Sequence, residues 1–374
     1  MSLIEKISSL MTNQKNIRNV VLVAHIDHGK TTLSDSLLAA AGILAPSTAG
    51  EARALDYLPE EQRRGITMKT ANISLTFKKG EEDYLVNLID SPGHVDFSGK
   101  VARALRIADG AIVVIDAVEQ IMAQTETVIR QCITEGVKPI LFINKIDRLI
   151  KELKLSPKQI AERIEVIYNN FNSLVAKFSQ SSNLPKWKSS PKDGSVVFGS
   201  ALHRWAISIP IAKETKISFE QIAEYYQNND YEQLEDLLPI ATPLIDMIIN
   251  HLPNPIAAQE YRIANIWHGD INSTVGKAMK YCEVNENSPL VFCSSKIIFD
   301  NHAGMLVLGR IFSGILTEKT EIMFVNSKTK GKIQNAYVYM AEDKKRINQI
   351  PAGNTVALSG LKGIQPGETV VDLT

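Results

Sequence analysis

A chain of 374 residues is too long for one compact domain of ordinary size and leads us to expect two or three cores. With 44% hydrophobic and 22% charged residues it carries too much apolar surface for general disorder, and nothing in it is fibrous or collagen-like. Basic and acidic residues number 41 each, so bulk electrostatics would not hold this chain to nucleic acid, and any RNA contact has to be local.

From Met1 to Asn19 the chain mixes Glu5, Lys6, Gln14, Lys15 and Arg18 among apolar residues and lacks the unbroken apolar core of a signal peptide. No later span is long enough to cross a membrane. Five short apolar runs follow: Val20 to Ala24, Leu85 to Ile89, Ala111 to Ile115, Ile140 to Ile143, and Val196 to Phe198. Such runs mark strands buried on both faces, and the helical patterns between them predict an α/β unit with a mostly parallel sheet. Between Asn72 and Phe77, Ile73, Leu75 and Phe77 alternate with polar residues before Lys78-Lys79-Gly80, which predicts an edge hairpin. Cys132, Cys282 and Cys293 are widely spaced with no C-x-x-C pair, which supports neither a zinc site nor a disulfide framework and points to a reducing cytoplasm.

Ser156 starts a different pattern, with Ile160, Ile164, Ile167, Phe171, Leu174 and Phe178 at helical steps behind a capping box of Ser156 and Gln159 and a proline at the first helical position. The polar stretch Ser179 to Gly194 reads as an exposed loop. Helix and loop together suggest an insert over about 150–195 within a first domain spanning 1–255. Helical segments follow Trp205 and end near Ile249, and Pro253-Asn254-Pro255 marks a linker. Over 256–374, runs rich in β-branched and aromatic residues between glycines predict a small all-β barrel.

The first buried strand runs directly into Ala24-His25-Ile26-Asp27-His28-Gly29-Lys30-Thr31, a phosphate-loop pattern with alanine at its first glycine. Backbone N–H groups and a helix N-terminus would cradle phosphates, Lys30 would neutralise them, and the Thr31 hydroxyl would ligate magnesium. Asn144-Lys145-Ile146-Asp147 follows the fourth buried strand, and Asp147 can accept both hydrogen bonds from a guanine's N1 and amino group. Asp90-Ser91-Pro92-Gly93-His94 ends the second buried run, where Asp90 can reach the magnesium shell and the Gly93 amide a γ-phosphate. In Arg64-Gly65-Ile66-Thr67, Thr67 is the candidate second hydroxyl ligand on magnesium. Gly199-Ser200-Ala201 is spaced to offer a backbone amide to the guanine O6. His25 and His28 are expected to shape the loop and not to act as acid or base.

In this order the motifs A-H-I-D-H-G-K-T, R-G-I-T, D-S-P-G-H, N-K-I-D and G-S-A resemble the translational GTPases. Longer stretches narrow the resemblance to the elongation factor 2 family of archaeal type: Thr32 to Asp35, Ile115 to Glu119, Gln124 to Thr127, Phe142 to Leu149, and His302-Ala303-Gly304 with Gly309 to Gly314. It covers essentially the whole chain. The resemblance implies GTP and GDP as ligands with magnesium. Its nucleotide set is Asp27, His28, Gly29, Lys30, Thr31, Thr32, Asp90, Gly93, Asn144, Lys145, Asp147, Ser200, Ala201 and Leu202, with Thr31 and Thr67 on the metal.

His94 matches the histidine that orients the attacking water once the ribosome's sarcin–ricin loop holds it, and Ile26 and Ile66 match a hydrophobic gate beside it. The family further implies a cytoplasmic monomer away from membranes, working on the ribosome and its stalk proteins and moving tRNA and mRNA indirectly. Two positions depart from the family's habit: Ser91 replaces a threonine, and Gln120 replaces a glycine. Members carry three further domains, so a chain stopping at Thr374 is expected to be a fragment holding the GTPase domain and the barrel. A ribosome-directed relative that recycles subunits or remodels spliceosomes, and a GTP-gated binding module with little hydrolysis, stay open as alternatives.

Overall fold

A computed structural model describes residues 3–44, 71–91, 98–180, 182–285, 287–300, 303–340 and 343–373. Strand β1 (Ile17–Ala24) is buried at every position, so apolar layers must cover both of its faces. It lies inside a seven-stranded sheet with β2 (Ala71–Lys79), β3 (Glu82–Asp90), β4 (Gly110–Asp116), β5 (Lys138–Asn144), β6 (Val196–Ser200) and β7 (Trp205–Ile207), in the order β2-β3-β1-β4-β5-β6-β7. The neighbours from β3 through β6 pair in parallel, and both edge strands are antiparallel. The five buried runs and the edge hairpin are therefore strands as the sequence predicts. β7 is an addition, since three residues are too few to show a period of two.

Successive side chains of a strand point to opposite faces, and the core divides accordingly. Val20, Leu22 and Val114 pack with the layer that includes α2 (Lys30–Ala40), while Val21, Val23 and Ile115 pack with the opposite layer, which includes α3 (Ser98–Ile107) and α4 (Ala123–Thr134). The short helix α5 (Ile146–Lys151) leads from β5 toward α6 (Pro157–Ser179). Ser156 Oγ accepts from Gln159 N, and the Gln159 side chain returns a bond to the Ser156 N–H, the capping box expected from the sequence. α6 buries Ile160, Ile164, Ile167, Phe171 and Val175 in the same core as β5. Parallel β5 and β6 need a crossover, and α6 is that crossover. The following loop is tied back to it, with Asn172 bonding both the N–H and the carbonyl of Ser189.

Helices α7 (Ile209–Thr215), α8 (Phe219–Gln227) and α9 (Tyr231–Leu237) follow β7, and α10 (Ala241–His251) packs beside α2. The helical pattern stops at the Pro253-Asn254-Pro255 run, but Asn254 at once caps a new helix, α11 (Pro255–Ile266), followed by α12 (Thr274–Lys280). The sequence reading places these residues with the β-rich part; its strands begin only at Val291. They are β8 (Val291–Asp300), β9 (Gly304–Ser313), β10 (Ile315–Thr317), β11 (Glu321–Phe324), β12 (Lys330–Lys332), β13 (Asn335–Met340), β14 (Asp343–Arg346), β15 (Gln349–Pro351), β16 (Thr355–Ser359) and β17 (Thr369–Asp372). An eight-stranded sheet and the ribbon of β10 with β15, antiparallel throughout, enclose one core containing Phe292, Val307, Ile311, Phe324, Val338 and Val356. This is the expected all-β unit.

The two units share a buried seam. The N-terminal helix α1 (Leu3–Met11) inserts Ile7, Leu10 and Met11 into the β-unit's core beside Leu85. Asp109, fully buried, accepts from Arg310 Nη1 of β9 at 2.6 Å, from Arg262 Nη1 of α11 at 3.2 Å and from Asn19 Nδ2 of β1 at 2.8 Å. Asn19 also donates to the Gly353 carbonyl at 2.9 Å.

Candidate functional site

Parallel α/β sheets bind ligands at the carboxyl ends of their strands, where the chain turns into the next helix. Here β1, β3, β4, β5 and β6 end on Ala24, Asp90, Asp116, Asn144 and Ser200, and the segments that follow β1, β4, β5 and β6 meet. The first turn is possible because Gly29 adopts φ +91° immediately before α2. A Cβ at Gly29 would lie 2.2 Å from Asn144 Nδ2, so the position excludes any side chain. That Asn144 nitrogen donates to the His28 carbonyl at 2.8 Å, and its Oδ1 accepts from Ala201 N at 2.9 Å. One side chain thus joins the first, fourth and fifth loops.

Lys30 is buried, and its ammonium donates to Asp90 Oδ1 at 2.5 Å. Thr31 and Thr32 stand in the first turn of α2, their carbonyls accepting from Ser34 and Ser36 hydroxyls. Asp27 is exposed at φ +61°, and Ile26 is half-buried. Ser91 Oγ donates to the Leu22 carbonyl at 2.7 Å, which ties the residue after β3 to β1. Gly93, His94, Ile66 and Thr67 lie outside the described residues.

Asp147 is 6% exposed, and its Oδ1 has no hydrogen-bond partner among the described residues. Leaving a buried acceptor unmatched costs roughly 1–3 kcal/mol, which a ligand's N–H donors would recover. Ser200 is buried, and its hydroxyl accepts from His203 N at 3.2 Å. Leu202 is 71% exposed. Within the Gly199-Ser200-Ala201 loop, the Ala201 amide donates to Asn144 Oδ1.

Asp116 is a site residue that the sequence reading did not single out. Its buried carboxylate accepts from Lys145 Nζ at 2.9 Å, Arg148 Nη1 at 3.0 Å and Val118 N at 2.7 Å. Burial alone would raise its pKa, but the Lys145 bond and the Val118 N–H outweigh that and hold the carboxyl below its ordinary range. The signal was available: like Asp90 and Asn144, it is a polar residue closing a buried strand. His28 is fully buried, and its Nδ1 accepts from Asp116 N at 3.2 Å while Nε2 faces Glu119 Oε2 at 3.2 Å. Burial holds its pKa below 6.5, which favours the neutral ring.

Gln120 has φ +60°, and its N–H donates to the Asp116 carbonyl at 2.8 Å. The turn asks for a left-handed residue, a conformation that glycine adopts without steric cost.

No group of three or more His, Cys, Asp or Glu is arranged for a metal among the described residues. A magnesium ion needs no such group, since it takes one or two hard protein oxygens together with phosphate oxygens and water. The Thr31 hydroxyl and the buried Asp90 carboxylate are oxygens of the hard kind that such an ion takes.

The family model for the elongation factor Tu GTP binding domain matches residues 15–254, and that for elongation factor Tu domain 2 matches residues 304–371. Elongation factor 2 of Pyrobaculum islandicum is 48% identical over 369 residues, which is 99% of this chain and 50% of that protein. Elongation factor 2 of Thermococcus kodakarensis is 48% identical over 368 residues, 98% of this chain and 50% of that protein. For Pyrococcus furiosus elongation factor 2 the figures are 46% over 370 residues, 99% and 50%. The chain spans about half the length of these relatives.

Proposed function

The chain belongs to the family of translation elongation GTPases built on the elongation factor Tu GTP binding domain, and from that premise we propose that it binds GTP and GDP with magnesium and hydrolyses GTP on the ribosome to drive translocation of tRNA and mRNA. The observation that carries the nucleotide assignment is the unmatched buried Asp147 Oδ1, two loops away from a phosphate loop that Asn144 holds in place.

In this reading Asp147 accepts from the guanine N1 and amino groups, and adenine fails because it lacks that pair of donors. Lys145 lies with its stem along the base while Asp116 steadies its head, and Ser200, Ala201 and Leu202 complete the base side, Ala201 through its hold on Asn144. Asp27, His28, Gly29 and Thr32 shape the amide cradle, and Lys30 leaves Asp90 for the phosphates. Magnesium, held by the Thr31 and Thr67 hydroxyls and phosphate oxygens, supplies charge neutralisation. The Gly93 amide senses the γ-phosphate, and His94 orients the attacking water when the sarcin–ricin loop engages it. Stalk proteins assist docking, the chain acts as a cytoplasmic monomer, and its GTPase and β-units divide near residue 255. Among the described residues no helix is long and apolar enough to cross a membrane.

Replacing Asp147 by Asn should lower GTP affinity by at least about 100-fold and favour xanthine nucleotides, because the new amide donates where guanine also donates. Unchanged GTP binding in that variant would overturn the assignment. Turnover with and without ribosomes tests the rest: ribosome stimulation is expected, and its absence would leave a GTP-gated binding module.

A further inference from the structure

The two segments read as holding the base leave different strands: Asn144-Lys145-Ile146-Asp147 runs from β5 into α5, and Gly199-Ser200-Ala201 closes β6. The Ala201 N–H bond to Asn144 Oδ1 joins them at the strand ends. A second link runs through one ring, that of Tyr231, the first residue of α9. His203, in the turn between β6 and β7, stacks its imidazole on this ring with centroids 4.4 Å apart and planes 16° from parallel. Lys151 of α5 holds its ammonium 4.8 Å from the centre of the same ring. Lys151 follows Asp147 by four residues, so the two share a face of α5 one turn apart.

The ring is itself held in place. Its hydroxyl donates to Asn229 Oδ1 at 2.7 Å, and the Tyr226 ring of α8 lies beside it with centroids 5.2 Å apart. Tyr226 is 5% exposed, and its hydroxyl accepts the Trp205 Nε1–H at 2.8 Å and lies 2.9 Å from His203 Nδ1. Tyr226, Trp205 and Leu149 of α5 belong to one buried core. On the other side of the link, the His203 N–H donates to Ser200 Oγ at 3.2 Å, so the placement of His203 is passed to Ser200.

We propose that Tyr231 is a positioning residue for guanine recognition: its ring, in contact with Lys151 of one base-reading segment and His203 of the other, sets the spacing at which Asp147 and the turn after β6 meet the base. The proposal rests on the reading of Asp147 as the guanine acceptor, and it gives α8 and α9, which carry no nucleotide motif, a part in that reading. Two segments from separate strands have to meet different edges of one rigid base. Such a constellation works only when held to within about 0.5 Å by side chains fixed through packing.

The test compares GDP with inosine diphosphate, which lacks the exocyclic amino group, as ligands of the full chain. The ratio of the two affinities reads the bond from that amino group to Asp147. A change in fold stability or in phosphate binding moves both affinities together and leaves the ratio alone. Tyr231→Ala should shrink the preference for GDP by about 3–10-fold, the scale of one aromatic stacking contact. Tyr231→Phe keeps the ring and loses only the Asn229 bond, so its ratio should match the wild type. A folded Tyr231→Ala protein with the wild-type ratio overturns the proposal, and so does a Tyr231→Phe ratio as low as that of Tyr231→Ala. Lys151 is exposed, so Lys151→Met leaves the core intact and decides the matter if Tyr231→Ala does not fold. Its preference for GDP should fall by at least about twofold, and an unmoved ratio there overturns the proposal. If Asp147→Asn turns to xanthine nucleotides while Tyr231→Ala keeps the wild-type ratio, the Tyr231 proposal alone has failed. Should Asp147→Asn keep its GTP affinity, the base assignment has failed, and this proposal with it.

Discussion

At the scale of single residues, Asp116 shows how one buried carboxylate can hold two loops. It faces Lys145 and Arg148 from one side and the Val118 and Glu119 amides from the other. Asp116→Asn keeps the shape but removes the charge those donors surround, and we expect a loss of roughly 1.5–3 kcal/mol in urea denaturation at neutral pH. The pH dependence has a definite sign. Because the folded pKa lies below the ordinary 3.8, the stabilisation is complete above that value and disappears as the pH falls through the lowered one. The wild type should lose its advantage over the variant within that acid window, and a gap that stays constant through it would remove Asp116 from the account.

The turn after β4 illustrates the element scale. Gln120 closes it in the left-handed region, which for an L side chain costs about 1–2 kcal/mol relative to glycine. Gln120→Gly relieves that strain but loosens the unfolded chain, so a net gain of about 0.5–1 kcal/mol is expected from the shift of the denaturation midpoint. A neutral or destabilising result would mean that the Gln120 side chain makes up for the strain. At this same scale α11 escaped the sequence reading. Its buried face is Pro255, Ala258, Gln259, Arg262 and Ile263, and a buried glutamine and arginine break the apolar stripe by which a helix is recognised.

For the whole molecule, the decisive contact is Asp109 between Arg262 and Arg310, all three fully buried where the two units meet. Desolvation pulls the Arg262 pKa down, and the Asp109 charge is what opposes it. Gln259 extends the network, accepting from Arg310 Nη2 at 2.7 Å and donating to the Phe312 carbonyl at 2.8 Å. Removing one member of a buried charge cluster leaves the others uncompensated, so Asp109→Ala should cost about 3–5 kcal/mol. Calorimetry should then resolve separate melting of the two units in place of one cooperative transition. A single transition at the wild-type temperature would show that the apolar seam of Ile7, Leu10 and Met11 suffices to join them.

By itself the sequence determined the parallel strands, the edge hairpin, the capped helix α6 and the order of the nucleotide motifs, because each is written in residues close along the chain: a run, an alternation, a cap, a loop between strand and helix. Only the tertiary structure decided that Asn144 engages the Ala201 amide 57 positions away, that α6 is the sheet's crossover, and that Asp109 meets Arg310 across 201 positions. Those facts depend on which strand lies beside which, and a buried ion pair carries no periodicity that a sequence can display. The phosphate-loop pattern was legible before any fold was known; what holds it against the Asn144–Asp147 loop, and what joins the whole unit to its β-partner, became visible only once distant residues shared one dry interior.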